Sequence, residues 1–135
     1  MVLVSGTPRF PDELRTAARQ FTREAFGQLS RAELDAHRAR HVHGDEQIVN
    51  LYDMTRSFAT SHDDMAFTSA SLATITARTL IVHGDRDPLY PVELALELYR
   101  SIAGSALWVV PNGGHGPIFA EQAAPFVQTA AAFLT

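Results

Sequence analysis

Hydrophobic and polar positions follow three successive patterns along the chain. Val2-Leu3-Val4 is a short apolar run broken by Ser5-Gly6-Thr7-Pro8, the pattern of a strand entering a loop. From about residue 10 to residue 75 the period is helical. Pro11-Asp12-Glu13 sets a proline near the first helical position and acids in the first turn, and Leu14, Ala18, Phe21, Ala25 and Phe26 then recur at helical spacing. Ser30-Arg31-Ala32-Glu33 has capping-box form and opens a second helix. Gly44-Asp45 separates a third, on which Ile48, Leu51, Tyr52, Thr55, Phe58 and Ala59 share one face. Ser61 to Asp64 again has capping-box form, and a helical turn over Ser69 to Ala73 closes the stretch.

The third pattern alternates strand with helix. Thr79-Leu80-Ile81-Val82-His83 is a continuous apolar run, as in strands buried on both faces of a parallel sheet. Gly84 to Pro91 is a loop, Val92 to Ile102 a helix, and Ala106-Leu107-Trp108-Val109-Val110 a second buried strand. A glycine-rich loop from Pro111 to Pro117 leads to a final helix from about Gln122 to Leu134, with Pro125 tolerated in its first turn. This order predicts right-handed βαβ units and a parallel sheet.

The 135 residues suffice for one modest domain. A net charge of −4 offers no basic excess to neutralise phosphates, so neither nucleic acid nor an anionic membrane surface is expected as a partner. The chain has no cysteine, which removes disulfides, thiolate metal sites and a cysteine nucleophile together. No apolar stretch approaches the ~20 residues that span a bilayer. A soluble, cytoplasmic protein is expected.

Candidate chemistry gathers on two loops, each following the carboxyl end of a predicted strand, where open α/β sheets place their ligand sites. The first reads His83-Gly84-Asp85-Arg86-Asp87-Pro88-Leu89-Tyr90-Pro91, the second Pro111-Asn112-Gly113-Gly114-His115-Gly116-Pro117. If the strands are neighbours, Asp87 and His115 stand side by side. A carboxylate on Nδ1–H holds a histidine in one tautomer and stabilises the imidazolium formed when the ring takes a proton. Glycines on either side of His115 let the backbone turn and leave the ring uncrowded.

The segment Thr79 to Pro91 closely resembles the acid-bearing strand and loop of α/β-hydrolases, and Val109 to His115 resembles their histidine loop. The order, acid before histidine, is also that of the family. The resemblance implies a partial α/β-hydrolase fold: about three parallel strands with flanking helices plus a helical cap. Residues 1–9 would be the strand preceding the cap, 10–75 the cap, and 76–135 the C-terminal core segment. It implies that Asp87 is the triad acid and His115 the general base, with Asp85 a rival for the acid. It implies a hydrolase of ester-type or related small molecules, needing no cofactor and no metal.

One departure is large. None of Ser5, Ser30, Ser57, Ser61, Ser69, Ser71, Ser101 and Ser105 sits in the family's Gly-x-Ser-x-Gly nucleophile elbow. Without an attacking group and oxyanion donors, the 135 residues alone should be inactive. Two partners follow as expectations, both meeting the chain along the edge of Val2 to Val4: a separately encoded N-terminal half, or a second copy in a homodimer. A truncated, non-catalytic remnant or a small-molecule binding protein is the alternative. Ser5, at a strand's carboxyl end, is read as a loop serine rather than a makeshift nucleophile. His37 and His41 are one helical turn apart, a spacing that can bind metal. With Arg38 and Arg40 beside them and no HExxH pattern, they read as a solvated helix face. His83 is expected to pack at its strand end. Phe10, Phe21, Phe26, Tyr52, Phe58 and Phe67 are expected to form core, a pocket lining, or both.

Overall fold

The computed structural model describes residues 1–62 and 65–135, and the chain separates into two units. One unit comprises Met1–Arg9 together with Met65–Thr135, and the other is Phe10–Asp64.

The first unit is built on a parallel sheet of β1 (Val2–Val4), β2 (Thr79–Gly84) and β3 (Ser105–Val110), in the order β1-β2-β3. Every residue of β2 is buried, as its continuous apolar run requires. β3 departs from expectation. Its run is as apolar as that of β2, yet only Val110 is fully buried, because β3 lies at the sheet's edge. β1 is likewise half-buried and pairs only with β2 among the described residues.

The period of two sorts the side chains onto two faces. Ile81, with Leu3 and Leu107, packs against Leu72 of α5 (Ser69–Ala73) and against Ala95 and Leu98 of α6 (Val92–Ser101). Leu80 and Val82, with Val2, Val4, Ala106 and Trp108, pack beneath Phe126, Ala130 and Phe133 of α7 (Ala123–Leu134). Helices therefore cover both faces, which is what a parallel sheet demands. Ile81 has no exposed surface, and burying such a side chain is worth about 1.5–3 kcal/mol. Pro125 is the third residue of α7, where its missing N–H breaks no helical hydrogen bond.

The second unit holds α1 (Asp12–Ala18), α2 (Arg23–Gly27), α3 (Arg31–Arg38) and α4 (Gly44–Ser57). The apolar spacing from Leu14 to Phe26 predicts a single helix, but two form. Thr22 takes an extended conformation and its side chain accepts the N–H of Ala25, so a new helix starts there. The capping box at Ser30 forms as expected, with Ser30 accepting from the Glu33 N–H and Glu33 accepting from that of Ser30. The one at Ser61 to Asp64 reaches Asp63 and Asp64, which lie outside the described residues. Arg15 is the buried cation of this unit: it donates to the carbonyl oxygens of Phe58 and Ser61, just beyond α4, where a positive charge complements the helix dipole. Phe10 stacks near Phe58, while Phe21 and Phe26 meet Tyr52 edge-on, so five of the six singled-out aromatics pack with one another in this unit.

The helical stretch expected to continue to residue 75 thus divides. α5 belongs with the sheet, because Leu72 faces the core that α6 lines. No helix among the described residues is long and apolar enough to cross a membrane.

Candidate active site

Gly84 and Val110, the last residues of β2 and β3, are paired in register, so the two loops leave the sheet side by side. Their backbones touch. Asp85 N–H donates to the Val110 carbonyl (3.2 Å) and Arg86 N–H to that of Gly113 (2.9 Å). Glycine at position 84 permits this approach. A Cβ there would stand 2.5 Å from the Gly113 carbonyl carbon and closer still to the oxygens of Gly113 and Gly114. Gly113 is also confined, less severely, with Pro117 2.8 Å from where its Cβ would be, and Gly116 has a positive φ of 68°. Gly114, beside the histidine, has open space around it.

Asp87 and His115 meet across these loops. Nδ1 of His115 lies 3.0 Å from Oδ2 of Asp87. The other oxygen, Oδ1, accepts the N–H groups of Leu89 (2.8 Å) and Tyr90 (3.1 Å), so the loop folds around its own carboxylate. The Asp87 side chain is fully buried, whereas that of His115 is 43% exposed, leaving the ring's far side open to a reactant. Burial pushes the Asp87 carboxyl up. The two backbone N–H groups and His115 together overcome that push and hold it below the usual aspartate value. Burial, followed by the Asp87 charge, raises the Tyr90 hydroxyl above its ordinary value. Tyr90 also places its ring edge-on to His115, with centroids 5.4 Å apart.

The lowered Asp87 value has a consequence for stability. A carboxyl depressed by folding contributes stability that is present above its unfolded value and is lost as pH falls through the folded one. Urea melts across the acid range are expected to show wild-type stability falling below the ordinary carboxylate range, with a shallower slope in Asp87→Asn. Equal slopes would show that Asp87 carries no folding-linked proton.

The remaining candidates fall into place around this pair. Asp85 points away, with an exposed carboxylate 4.0 Å from Nε of Arg86, so Asp87 is the acid that meets His115. His83 is fully buried beneath the loop, and its Nε2–H donates to the Tyr90 carbonyl (2.9 Å). Nε2 also stands 3.9 Å from Asp87 Oδ2, and Nδ1 has no partner among the described residues. His83 therefore does more than pack at a strand end: it ties down the loop that presents the acid. Ser5 is 7% exposed, and its Oγ accepts the Gly116 N–H at 2.9 Å. Sequence reasoning set Ser5 aside as a loop serine, because no local pattern announces a bond spanning 111 residues. In the helical unit, the His37 and His41 rings stack with centroids 6.3 Å apart, and His37 meets Tyr52 edge-on. No group of three or more metal-ligating side chains stands together among the described residues.

An apolar cavity of about 660 Å³ lies against β1 and is lined by residues of α5 and α6, with none from β2. Leu3, Phe67, Leu72, Ile75 and Leu98 line it, with Ser5 and Tyr90 at the end nearest the paired residues.

Parallel strands carrying an acid–histidine pair on successive strand-end loops define the α/β-hydrolase class. The sequence profile described as "Alpha/beta hydrolase family" matches residues 1–129, and the chain belongs to that family. It is similar to the 2-hydroxy-6-oxononadienedioate/2-hydroxy-6-oxononatrienedioate hydrolase 2 of Pseudomonas putida, at 32% identity over 137 residues, covering 98% of this chain and 45% of the relative. It is also similar to the AB hydrolase superfamily protein YisY of Bacillus subtilis (strain 168), at 36% identity over 78 residues, 55% of this chain and 29% of the relative. The fold matches that of 2-hydroxy-6-oxo-6-phenylhexa-2,4-dienoate hydrolase from Rhodococcus sp. strain RHA1, with a TM-score of 0.66, 17% identity, and coverage of 99% of this chain and 54% of that one. The chain spans less than half the length of the two curated relatives it matches.

Proposed function

We propose that these residues form the acid–base half of a small-molecule hydrolase, with Asp87 as the triad acid and His115 as the general base. The observation that carries the reading is the 3.0 Å contact between His115 Nδ1 and a buried Asp87 carboxylate already held by two N–H groups. Asp87 keeps the proton on Nδ1 and leaves Nε2 free to take one from a nucleophile. The substrate class is ester-type or related small molecules, and the hydrolase names of the relatives support it. The helical unit, inserted in sequence between β1 and β2, is the cap by its place in the chain order. A cytoplasmic setting belongs to the same reading.

The attacking group comes from a segment outside these 135 residues, one that seats on β1. Crossovers between parallel strands are right-handed. The β2–α6–β3 unit places α6 on one face, so a strand added beyond β1 and leading into it would place its connecting helix on that same face. The apolar cavity along β1 lies there and has the character of a seat for such a helix. A strand–turn–helix bearing Gly-x-Ser-x-Gly would occupy both edge and cavity, and would stand its serine at the sheet end that holds His115.

The test is p-nitrophenyl ester hydrolysis by the purified chain, alone and combined with a second polypeptide carrying that strand–turn–helix half. The chain alone is expected to match its His115→Ala variant, with turnover appearing only in the combination. His115-dependent turnover by the chain alone would place the nucleophile within these residues. If sedimentation shows the chain pairing with itself through β1 and refusing the second polypeptide, the self-associating, non-catalytic reading replaces this one.

A further inference from the structure

Ser5 follows the last residue of β1 and has a φ of 46°, a left-handed conformation that crowds the Cβ of any residue but glycine. Glycine would relieve that crowding, so serine at this position calls for a use of its side chain. The structure shows one use. Ser5 N–H stays on the ladder, donating to the Val82 carbonyl at 2.9 Å, while Oγ reaches past the end of β2 to accept the N–H of Gly116. Gly116 is itself left-handed, so two positive-φ residues, one from each loop, are joined by a single part-buried hydrogen bond.

That bond occupies a telling place. The loop carrying His115 is tied on its near side by Arg86 N–H donating to the Gly113 carbonyl. On its far side, the cross-strand tie is Ser5. His115 sits between the two, next to Gly114, which nothing crowds. The near tie comes from the loop after β2 and the far tie from the residue after β1, so the histidine is held between two loops that leave other strands.

We propose that Ser5 is a positioning residue for His115, its Oγ holding the Gly116 side of the loop so that the ring faces Asp87. The proposal rests on the Asp87–His115 reading and extends it to a residue outside the triad. Ser5 acts here as an acceptor for a backbone N–H, not as an attacking group.

The test reads the tautomer of His115 directly, by long-range ¹H–¹⁵N correlation spectra of the ¹⁵N-labelled chain with the imidazole neutral. A ring held on Asp87 carries its proton on Nδ1, and a released ring reverts to the Nε2–H form favoured by free histidine. Wild type is expected in the Nδ1–H form and Asp87→Asn in the Nε2–H form. Ser5→Ala keeps the backbone strain and loses the bond, whereas Ser5→Gly loses both. Each is expected to shift the tautomer ratio about fivefold towards Nε2–H, the equilibrium equivalent of one net hydrogen bond. Thermal melts should rank Ser5→Gly above Ser5→Ala, so a shift common to both cannot come from strain or lost stability. If both Ser5 variants keep the wild-type tautomer while Asp87→Asn loses it, the proposal is overturned and the acid–base reading stands. If Asp87→Asn also keeps it, both fall.

Discussion

Replacing Gly84 by alanine is expected to destabilise the sheet unit by about 3 kcal/mol and to separate Asp87 from His115. The magnitude is that of overpacking a site unable to relax. The new methyl would meet the backbone of Gly113 and Gly114, not the yielding end of a side chain, so relief requires moving the histidine loop as a body. That movement would break the Arg86 N–H bond to Gly113 and draw His115 from its carboxylate. Gly114→Ala is the matched control: it adds the same methyl one residue from the histidine, where space is open, and should cost under about 0.5 kcal/mol. Urea denaturation of the two variants measures the contrast. Equal stabilities would mean that the loops do not pack as closely as the structure shows.

In an enzyme assembled with a nucleophile-bearing half, Asp87→Asn is expected to lower turnover about a thousandfold or more, the order seen when a triad histidine adopts the wrong tautomer. The geometry explains why so small a change should cost so much. Oδ1 of Asp87 accepts two backbone N–H groups, from Leu89 and Tyr90. An asparagine there must keep its carbonyl oxygen on those donors, which turns its NH₂ towards His115. Nδ1 must then accept, the ring proton moves to Nε2, and Nε2 can no longer act as base. The check is kcat at saturating p-nitrophenyl ester. Asp85→Asn serves as control and should stay within about twofold of wild type, since Asp85 lies exposed away from the ring. A tenfold or smaller loss in Asp87→Asn would show that the carboxylate does not set the tautomer.

Much of this was legible in the residues because it depended on local chemistry. The apolar run Thr79 to His83 reads as a buried strand at any position in a sheet, and β2 is one. Ser30 and Glu33 announce a helix start within four residues, and it forms. The two loops with Asp87 and His115 are recognisable because acid, histidine and glycines stand at short, fixed intervals behind strands.

What the chain order could not supply depended on neighbours. Ala106 to Val110 is as apolar as β2, yet β3 is half-buried, because composition does not say which strand ends up at an edge. The helix from Leu14 to Phe26 divides where one hydroxyl of Thr22 outcompetes apolar periodicity. Helix α5 reads like the helices before it, and only the packing of Leu72 assigns it to the sheet.

The site divides in the same way. The sequence alone determined that an acid and a histidine would follow two parallel strands, since residue types and their order are local properties. It preferred Asp87 to Asp85 by resemblance alone, singled out the glycines beside His115 but not Gly84, and gave Ser5 no role. Tertiary structure decided those points by bringing β1, β2 and β3 to one edge. There the N–H groups of Leu89 and Tyr90 select Asp87, the backbone of Gly113 excludes any side chain at Gly84, and Ser5 meets Gly116. Hydrogen bonds and steric exclusion act over a few ångströms in space, whatever the separation along the chain.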